Sequence, residues 1–429
     1  MSAVIVNAAS KGDLELLTKA LRGKFGEVTK ENVNEGLMRA ANMGNFKCVE
    51  YLLSAGGDPN ALDMDGDSPL KLAINNNYGR IGKLLIEKGG DVNMLGSKGR
   101  VPIHASAYHG NFKVTELLVD KGAKVNIIDE YGDTPLTVAA ARGHVAVVKL
   151  LIKTQRSRGQ ETPEAERNRD LNVAILRASA TGKANCVREL LAAGANVNYR
   201  DGWYVTPLIH ATQRNNPEVL KVLLKAGADI TLTTSHQKDA FHYAVVKNYT
   251  ECVKLLLEHG ANPDGYDLYL EQGTAIFDTP KKQEQVPLMV AVTNNNAEVA
   301  KSLIQAGCHI NKHMKQVDLL SSVIYVGNLR LAKILVCAGW SPNAIRVLFQ
   351  EGVVGEACDE LSIWCQDVIS RPRPLLEIAR TCIAECLYQH DYTRIARGKK
   401  VASYKNKTDQ LPLPTPLKKY LQYSDLDHQ

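Results

Sequence analysis

The chain has 429 residues, 45% of them apolar and 23% charged, with a net charge of +6. That balance fits a folded chain with a sizeable core and excludes a wholly disordered one, and the charge is too small for a dedicated nucleic-acid binder, which gathers cations on one face. No stretch approaches the ~18 uninterrupted apolar residues of a membrane helix, and the opening MSAVIVNAASKGDLELL lacks the basic and apolar regions of a secretion signal, so a cytoplasmic residence, extending to the nucleus, is expected without membrane association.

The strings DSPLKLA, RVPIHAS, DTPLTVA and VTPLIHA recur, and the prolines of the first three stand 33 residues apart: 102 − 69 = 33 and 135 − 102 = 33. Taking proline as a phase marker places ten units, at Val4, Gly36, Pro69, Pro102, Pro135, Ala174, Pro207, Ala240, Pro287 and Leu319. In each unit a short helix is predicted from the marker. A preceding Asp, Ser or Thr can accept an orphan N–H there, and proline supplies the φ of a first helical position. Eight residues on stand Gly12, Gly44, Asn77, Gly110, Gly143, Gly182, Asn215, Asn248, Asn295 and Gly327, the two residue types that enter the left-handed region most cheaply, so the helix should end there. A second helix follows, as in FKCVEYLL and NCVRELLA, with leucines at helical spacing and a stop at Gly56, Gly89, Gly122, Gly194, Gly227, Gly260, Gly307 or Gly339. The Asp-, Asn- and Gly-rich text between units should form a projecting finger.

A 33-residue helix-turn-helix opening on T-P-L-H-x-A resembles the ankyrin repeat. The resemblance runs over residues 1–343 and implies a mainly α fold, an α-solenoid of about ten repeats in which each repeat buries its faces on its neighbours.

Two steps break the phase. From Pro135 to Ala174 the step is 174 − 135 = 39, and the polar segment KTQRSRGQETPEAERNRD is expected to be a surface loop. From Ala240 to Pro287 it is 287 − 240 = 47, and YDLYLEQGTAIFDTPKKQEQ is either a binding loop or tolerated drift.

Cys48, Cys186 and Cys252 share one phase, twelve after their markers, and read as small apolar residues on second helices. Nine cysteines without a C-x-x-C pair indicate reduced thiols and no disulfide framework. His104 and His242 share a phase that suits a structural hydrogen bond. Cys308, His309 and His313 offer only part of a four-ligand zinc site, so no metal and no cofactor is expected. Phosphate-loop, nucleophile-elbow and H-E-x-x-H motifs are all missing, and no enzyme activity is expected.

After Asn343 the phase is lost. Residues 344–370 read as two short apolar helices that cover the last repeat, whose stacking face would otherwise be exposed. Then RPRPLLEIARTCIAECL sets Leu375, Ile378, Ala379, Cys382 and Ile383 at helical spacing, and LPLPTPLKKYLQY joins an extended stretch to a helix with Leu417, Tyr420 and Leu421 on one face.

These pieces, residues 371–423 with a 424–429 tail, resemble a C-terminal helical SOCS box, and the whole chain resembles the ankyrin repeat and SOCS box family. In that family the first pattern, here Pro372, Arg373, Leu375, Ile378, Ala379, Arg380 and Ile383, binds elongin C. The second, here Leu411, Pro412, Leu413, Pro414, Leu417, Tyr420 and Leu421, contacts cullin-5. Ala379 replaces a frequent cysteine, and a basic segment spaces the two boxes widely. The resemblance implies a substrate receptor that joins a target protein to elongin B, elongin C, cullin-5 and its RING partner. The alternative is an ankyrin scaffold that delivers nothing to ubiquitin.

In an ankyrin solenoid the finger tips and first helices line the concave surface. The tips carry Asp65, Lys98, Tyr131, Trp203 and His236, and Trp203 with Tyr204 replaces the D-x-x-G of other fingers. Tyr108, His109, Arg142, Gln213 and Arg214 share a first-helix face. Together Tyr108, His109, Tyr131, Arg142, Trp203, Tyr204, Gln213 and Arg214 are the candidate target contacts, aromatic anchors gaining contact area at little entropic cost. Trp203 could instead pack on the neighbouring finger. Asn93, Asn126 and Asn198 resemble asparagines hydroxylated in some ankyrin proteins.

Overall fold

A computed structural model describes residues 2–24, 26–158, 164–265, 286–308, 323 and 328–337. Helices and one short 3-10 turn, Ser97–Gly99, are the regular elements among the described residues. In chain order the helices are α1 (Ser2–Lys11), α2 (Leu14–Leu21), α3 (Lys30–Met43), α4 (Phe46–Ser54), α5 (Pro69–Asn75), α6 (Gly79–Glu87), α7 (Pro102–His109) and α8 (Phe112–Asp120). They continue with α9 (Pro135–Arg142), α10 (Val145–Ser157), α11 (Glu164–Ala180), α12 (Ala184–Ala192), α13 (Pro207–Gln213) and α14 (Pro217–Lys225). The last are α15 (Ala240–Val246), α16 (Thr250–Glu258), α17 (Pro287–Thr293), α18 (Ala297–Gln305) and α19 (Leu329–Cys337).

Local chemistry explains the boundaries. Helices α5, α7, α9, α13, α15 and α17 begin on the phase marker itself. Ser68, Thr134 and Thr206 accept the N–H three residues on, at 3.3, 3.2 and 3.2 Å, and the Asp239 carboxylate accepts from His242 N at 2.7 Å. Helix α11 instead begins ten residues before its marker Ala174, and α1 and α3 also start early. The left-handed turn appears at each described position where Gly or Asn was expected, from Gly12 (φ 73°) and Asn77 (φ 61°) to Asn295 (φ 55°); Gly327 lies outside the described residues.

The chain divides into two units, the first Met1–Asp201 with Lys225–Gly227 and the second Gly202–Leu224 with the residues from Ala228 on. In the first, the odd-numbered helices α1 to α11 stack side by side and the even-numbered α2 to α12 form a second layer behind them. In the second, α13, α15 and α17 stack as one layer, with α16, α18 and α19 as the other. The core lies between the layers and repeats with the sequence phase. Sixteen residues after their markers, Leu52, Leu85, Leu118, Leu151, Leu190, Leu223, Leu256, Leu303 and Leu335 are all 0% exposed. Each such leucine contributes about 1.5–3 kcal/mol, which is how short helices, unstable alone, are held.

The 39-residue step is not a surface loop. It lengthens α10 to thirteen residues and α11 to seventeen, so most of the segment is a helical hairpin, with residues 159–163 outside the described set. Polarity misled because the added side chains are spent internally. Gln155 and Asp170 are buried, Gln155 donates to the Asp170 carboxylate, and Thr134 Oγ1 donates to its other oxygen. The Arg158 guanidinium donates to the carbonyls of Ala123 (2.8 Å) and Val119 (2.6 Å), closing the C-terminal end of α8.

Fingers in the first unit are tied to one another by side-chain amides. Asn60 accepts from Asp91 N at 2.7 Å and donates to Gly89 O at 3.1 Å; Asn93 repeats this with Lys124 N at 2.8 Å and Gly122 O at 3.2 Å.

Candidate interaction surfaces

In the first unit the C-terminal turns of α7 and α9 bring Tyr108, His109 and Arg142 together. The Arg142 guanidinium carbon lies 3.8 Å from the centre of the Tyr108 ring, and the His109 ring meets that of Tyr108 edge-on at 5.1 Å. His109 Nε2 donates to Asn75 O at 2.7 Å, and His144 Nε2 donates to Tyr108 O at 3.0 Å, fixing the aromatic residue from behind. On the neighbouring finger Tyr131 is 56% exposed, flanked by the cations of Arg100 (5.3 Å) and Lys98 (5.9 Å). Arg100 also pairs with Asp129 at 2.9 Å. Burial works to raise the Asp129 carboxyl, but the Asp133 N–H, the Arg100 guanidinium and the Tyr131 N–H together hold it below the usual carboxylate range.

The second unit carries its own set. Trp203 is 70% exposed, and its carbonyl accepts from Ser235 N at 3.1 Å. Tyr204, also exposed, has φ 60° at a position where the first unit places Gly66, Gly99 and Gly132 and the next finger places Gln237 (φ 56°). Arg214, the C-cap of α13, is exposed and Gln213 is half-buried.

The phase-matched cysteines and His104 are buried. Cys48, Cys186, Cys252 and Cys308 are buried free thiols; burial pushes Cys186 and Cys252 up to about 11, which keeps them protonated and unreactive. His104 reaches Val101 N (3.3 Å) through Nδ1 and Ile127 O (3.1 Å) through Nε2, and burial lowers its basicity. No group of three or more His, Cys, Asp or Glu side chains suited to a metal occurs among the described residues; His309 and His313 lie outside them. Among the described residues no helix is long and apolar enough to cross a membrane. Asn93 has both ends of its amide engaged in the finger tie, whereas Asn126 is exposed.

Sequence reasoning missed Lys71. It occupies the histidine position of the repeat, is 2% exposed, pairs with Asp67, and donates to Ser97 O (3.0 Å) and Ser97 Oγ (2.8 Å). It also missed an exposed apolar row, Leu62, Leu95 and Ile128, though the 33-residue spacing was there to be read.

Comparison with known families agrees with this architecture. The description Ankyrin repeats (3 copies) matches residues 5–96, 80–161 and 174–267, Ankyrin repeat matches 283–315, and SOCS box matches 371–422. The chain belongs to the ankyrin repeat and SOCS box family. Ankyrin repeats joined to a SOCS box define a substrate receptor of elongin and cullin ubiquitin ligases, a class that binds elongin B, elongin C and a cullin and whose members are non-catalytic adaptors. Among solved structures, the human ASB11 ankyrin repeat domain is similar at 26% identity, covering 48% of this chain and 89% of that one, with a TM-score of 0.42. Comparison with curated proteins gave no match. The elongin residues Leu375, Ile378, Ala379, Arg380 and Ile383, and the cullin residues Leu411, Pro412, Leu413, Pro414, Leu417, Tyr420 and Leu421, lie outside the described residues, as do the covering helices expected over 344–370.

Proposed function

We propose that this chain is the target-binding subunit of a cullin-5 RING ubiquitin ligase in the cytoplasm, with no chemistry of its own. The ankyrin array, 1–343, holds a target protein, and the 371–423 segment docks the ligase. Leu375 and its helix neighbours enter elongin C, and the Leu411–Pro414 stretch with Leu417 and Tyr420 meets the cullin. Target lysines then meet a recruited ubiquitin-charged enzyme at raised effective concentration, so proximity is the mechanism. The observation that carries this reading is the SOCS box match over 371–422, which contains the L-P-L-P run, on a chain whose earlier part is ankyrin repeats.

The target side of the proposal rests on the exposed aromatic and cationic residues in each unit: Tyr108, His109, Tyr131 and Arg142 in the first, and Trp203, Tyr204, Gln213 and Arg214 in the second. Co-purification tests the ligase side. Full-length protein should retain elongin B, elongin C and cullin-5, and Leu375→Asp should lose them, because an ionised carboxylate replaces a buried apolar anchor. Failure of the intact chain to retain elongin B and elongin C, with Leu375→Asp behaving the same, would leave the scaffold reading standing instead.

A further inference from the structure

Three exposed large apolar side chains of the first unit recur at one position of successive fingers. Leu62, Leu95 and Ile128 are 52%, 60% and 56% exposed, and each stands seven residues before its marker. They recur once per finger, on the fingers formed by residues 57–68, 90–101 and 123–134, where a stack needs no apolar group and loses by showing three in a row. Met64, fully exposed, and Tyr131 widen the row at its two ends. The row stops where the next finger gives way to the α10–α11 hairpin, whose equivalent position is Arg167.

The three fingers are held in one register. Besides the Asn60 and Asn93 ties, Ser97 N donates to Asp67 Oδ1 at 2.7 Å and Glu130 N donates to Lys98 O at 3.1 Å. A partner laid along the row therefore loses its own freedom without having to order the fingers as well. Charge along the row is uneven. Leu62 and Met64 alternate with Asp63 and Asp65 in the run GDPNALDMDGD, which holds no cation, and Asp63 accepts only backbone N–H groups, from Asp65 (3.0 Å) and Asp67 (2.8 Å). Around Tyr131, Arg100 is matched by Asp129, and Arg177 by Asp133 at 3.1 Å.

We propose that these three fingers form a docking strip for an extended apolar segment of a protein partner that carries a basic side chain at its Leu62 end. The proposal rests on the reading of the array as the target-binding part and names the chemistry it selects. Phosphate-bearing partners are disfavoured by the same carboxylates that attract the basic residue.

The test is selection of phage-displayed random linear peptides on the full chain. Enriched peptides should combine two or more apolar residues with Lys or Arg, and Leu95→Ser should weaken a synthetic copy of the leading peptide at least about tenfold. Asp65→Lys should reverse the preference towards acidic peptides. Circular dichroism checks folding: the substituted side chains are exposed, so the variants should melt with wild type, and Leu95→Ser alone keeps the test valid where a triple Leu62→Ser/Leu95→Ser/Ile128→Ser variant does not fold. Equal binding to Leu95→Ser, a predominance of acidic peptides, no enrichment at all, or binding to phosphatidylserine vesicles in place of peptides would each overturn the proposal. Elongin retention, which reads the 371–423 segment, is untouched by these outcomes, so the two proposals fail separately.

Discussion

Thr134 donates its hydroxyl proton to Asp170, so the cap of one regular repeat is joined to the part of α11 that exceeds the repeat length. The other carboxylate oxygen receives the Gln155 amide from the added length of α10. Two neutral donors and no cation face a carboxyl that burial raises to about 6, with the Thr134 and Gln155 hydrogen bonds opposing the shift.

A pH dependence follows. Because the folded value lies above the ordinary 3.8, folding favours the protonated acid. The stability from this site is complete below the unfolded value and is lost as pH rises through about 6. Asp170→Asn, with the Gln155 amide turned to present its oxygen, should therefore gain on wild type as pH rises from 4 to 7, by on the order of 1–3 kcal/mol. Thermal midpoints of both proteins across that range check it; a difference that stays flat with pH would rule it out.

Lys71 is expected to matter through what its loss strands. Lys71→Met leaves the Asp67 carboxylate with only Ser97 N and Ser97 Oγ (3.1 Å) as partners from the next finger, and should cost about 3–5 kcal/mol. The double variant Asp67→Asn/Lys71→Met should recover most of that, because no buried charge remains. Urea unfolding followed by circular dichroism measures both.

Tyr204 stands with positive φ where the first unit places Gly66, Gly99 and Gly132 and the next finger places Gln237 (φ 56°), so Tyr204→Gly should stabilise the second unit, by about 1 kcal/mol. The same change should weaken capture of a target, since it removes an exposed ring beside Trp203. A variant that melts higher yet binds less would show that the strain is kept for recognition; a lower melting point would remove the strain argument.

Much of the fold could be read from phase alone. Helix starts at Pro69 and Pro135, turns at Gly44 and Asn248, and the fully buried leucine row are consequences of spacing and of which residues tolerate positive φ. The α10–α11 hairpin could not be read that way. Its polar letters look like a solvated loop until Asp170, Gln155 and Arg158 are seen to find partners inside the first unit, and those partners are remote in sequence. Trp203 was ambiguous for a related reason: composition cannot tell whether a ring lies flat on a neighbour or stands clear. Lys71 was hidden because a lysine at a histidine position reads as surface.

The asparagine ties between fingers have a bearing on solubility. Extended hairpins laid side by side with apolar side chains on show invite another chain to add on through open backbone groups, the first step of fibril growth. Here the amides of Asn60 and Asn93 occupy the Gly89 and Gly122 carbonyls and the Asp91 and Lys124 N–H groups. A sticky row can thus face water while the main chain beneath it gives an incoming strand fewer groups to pair with.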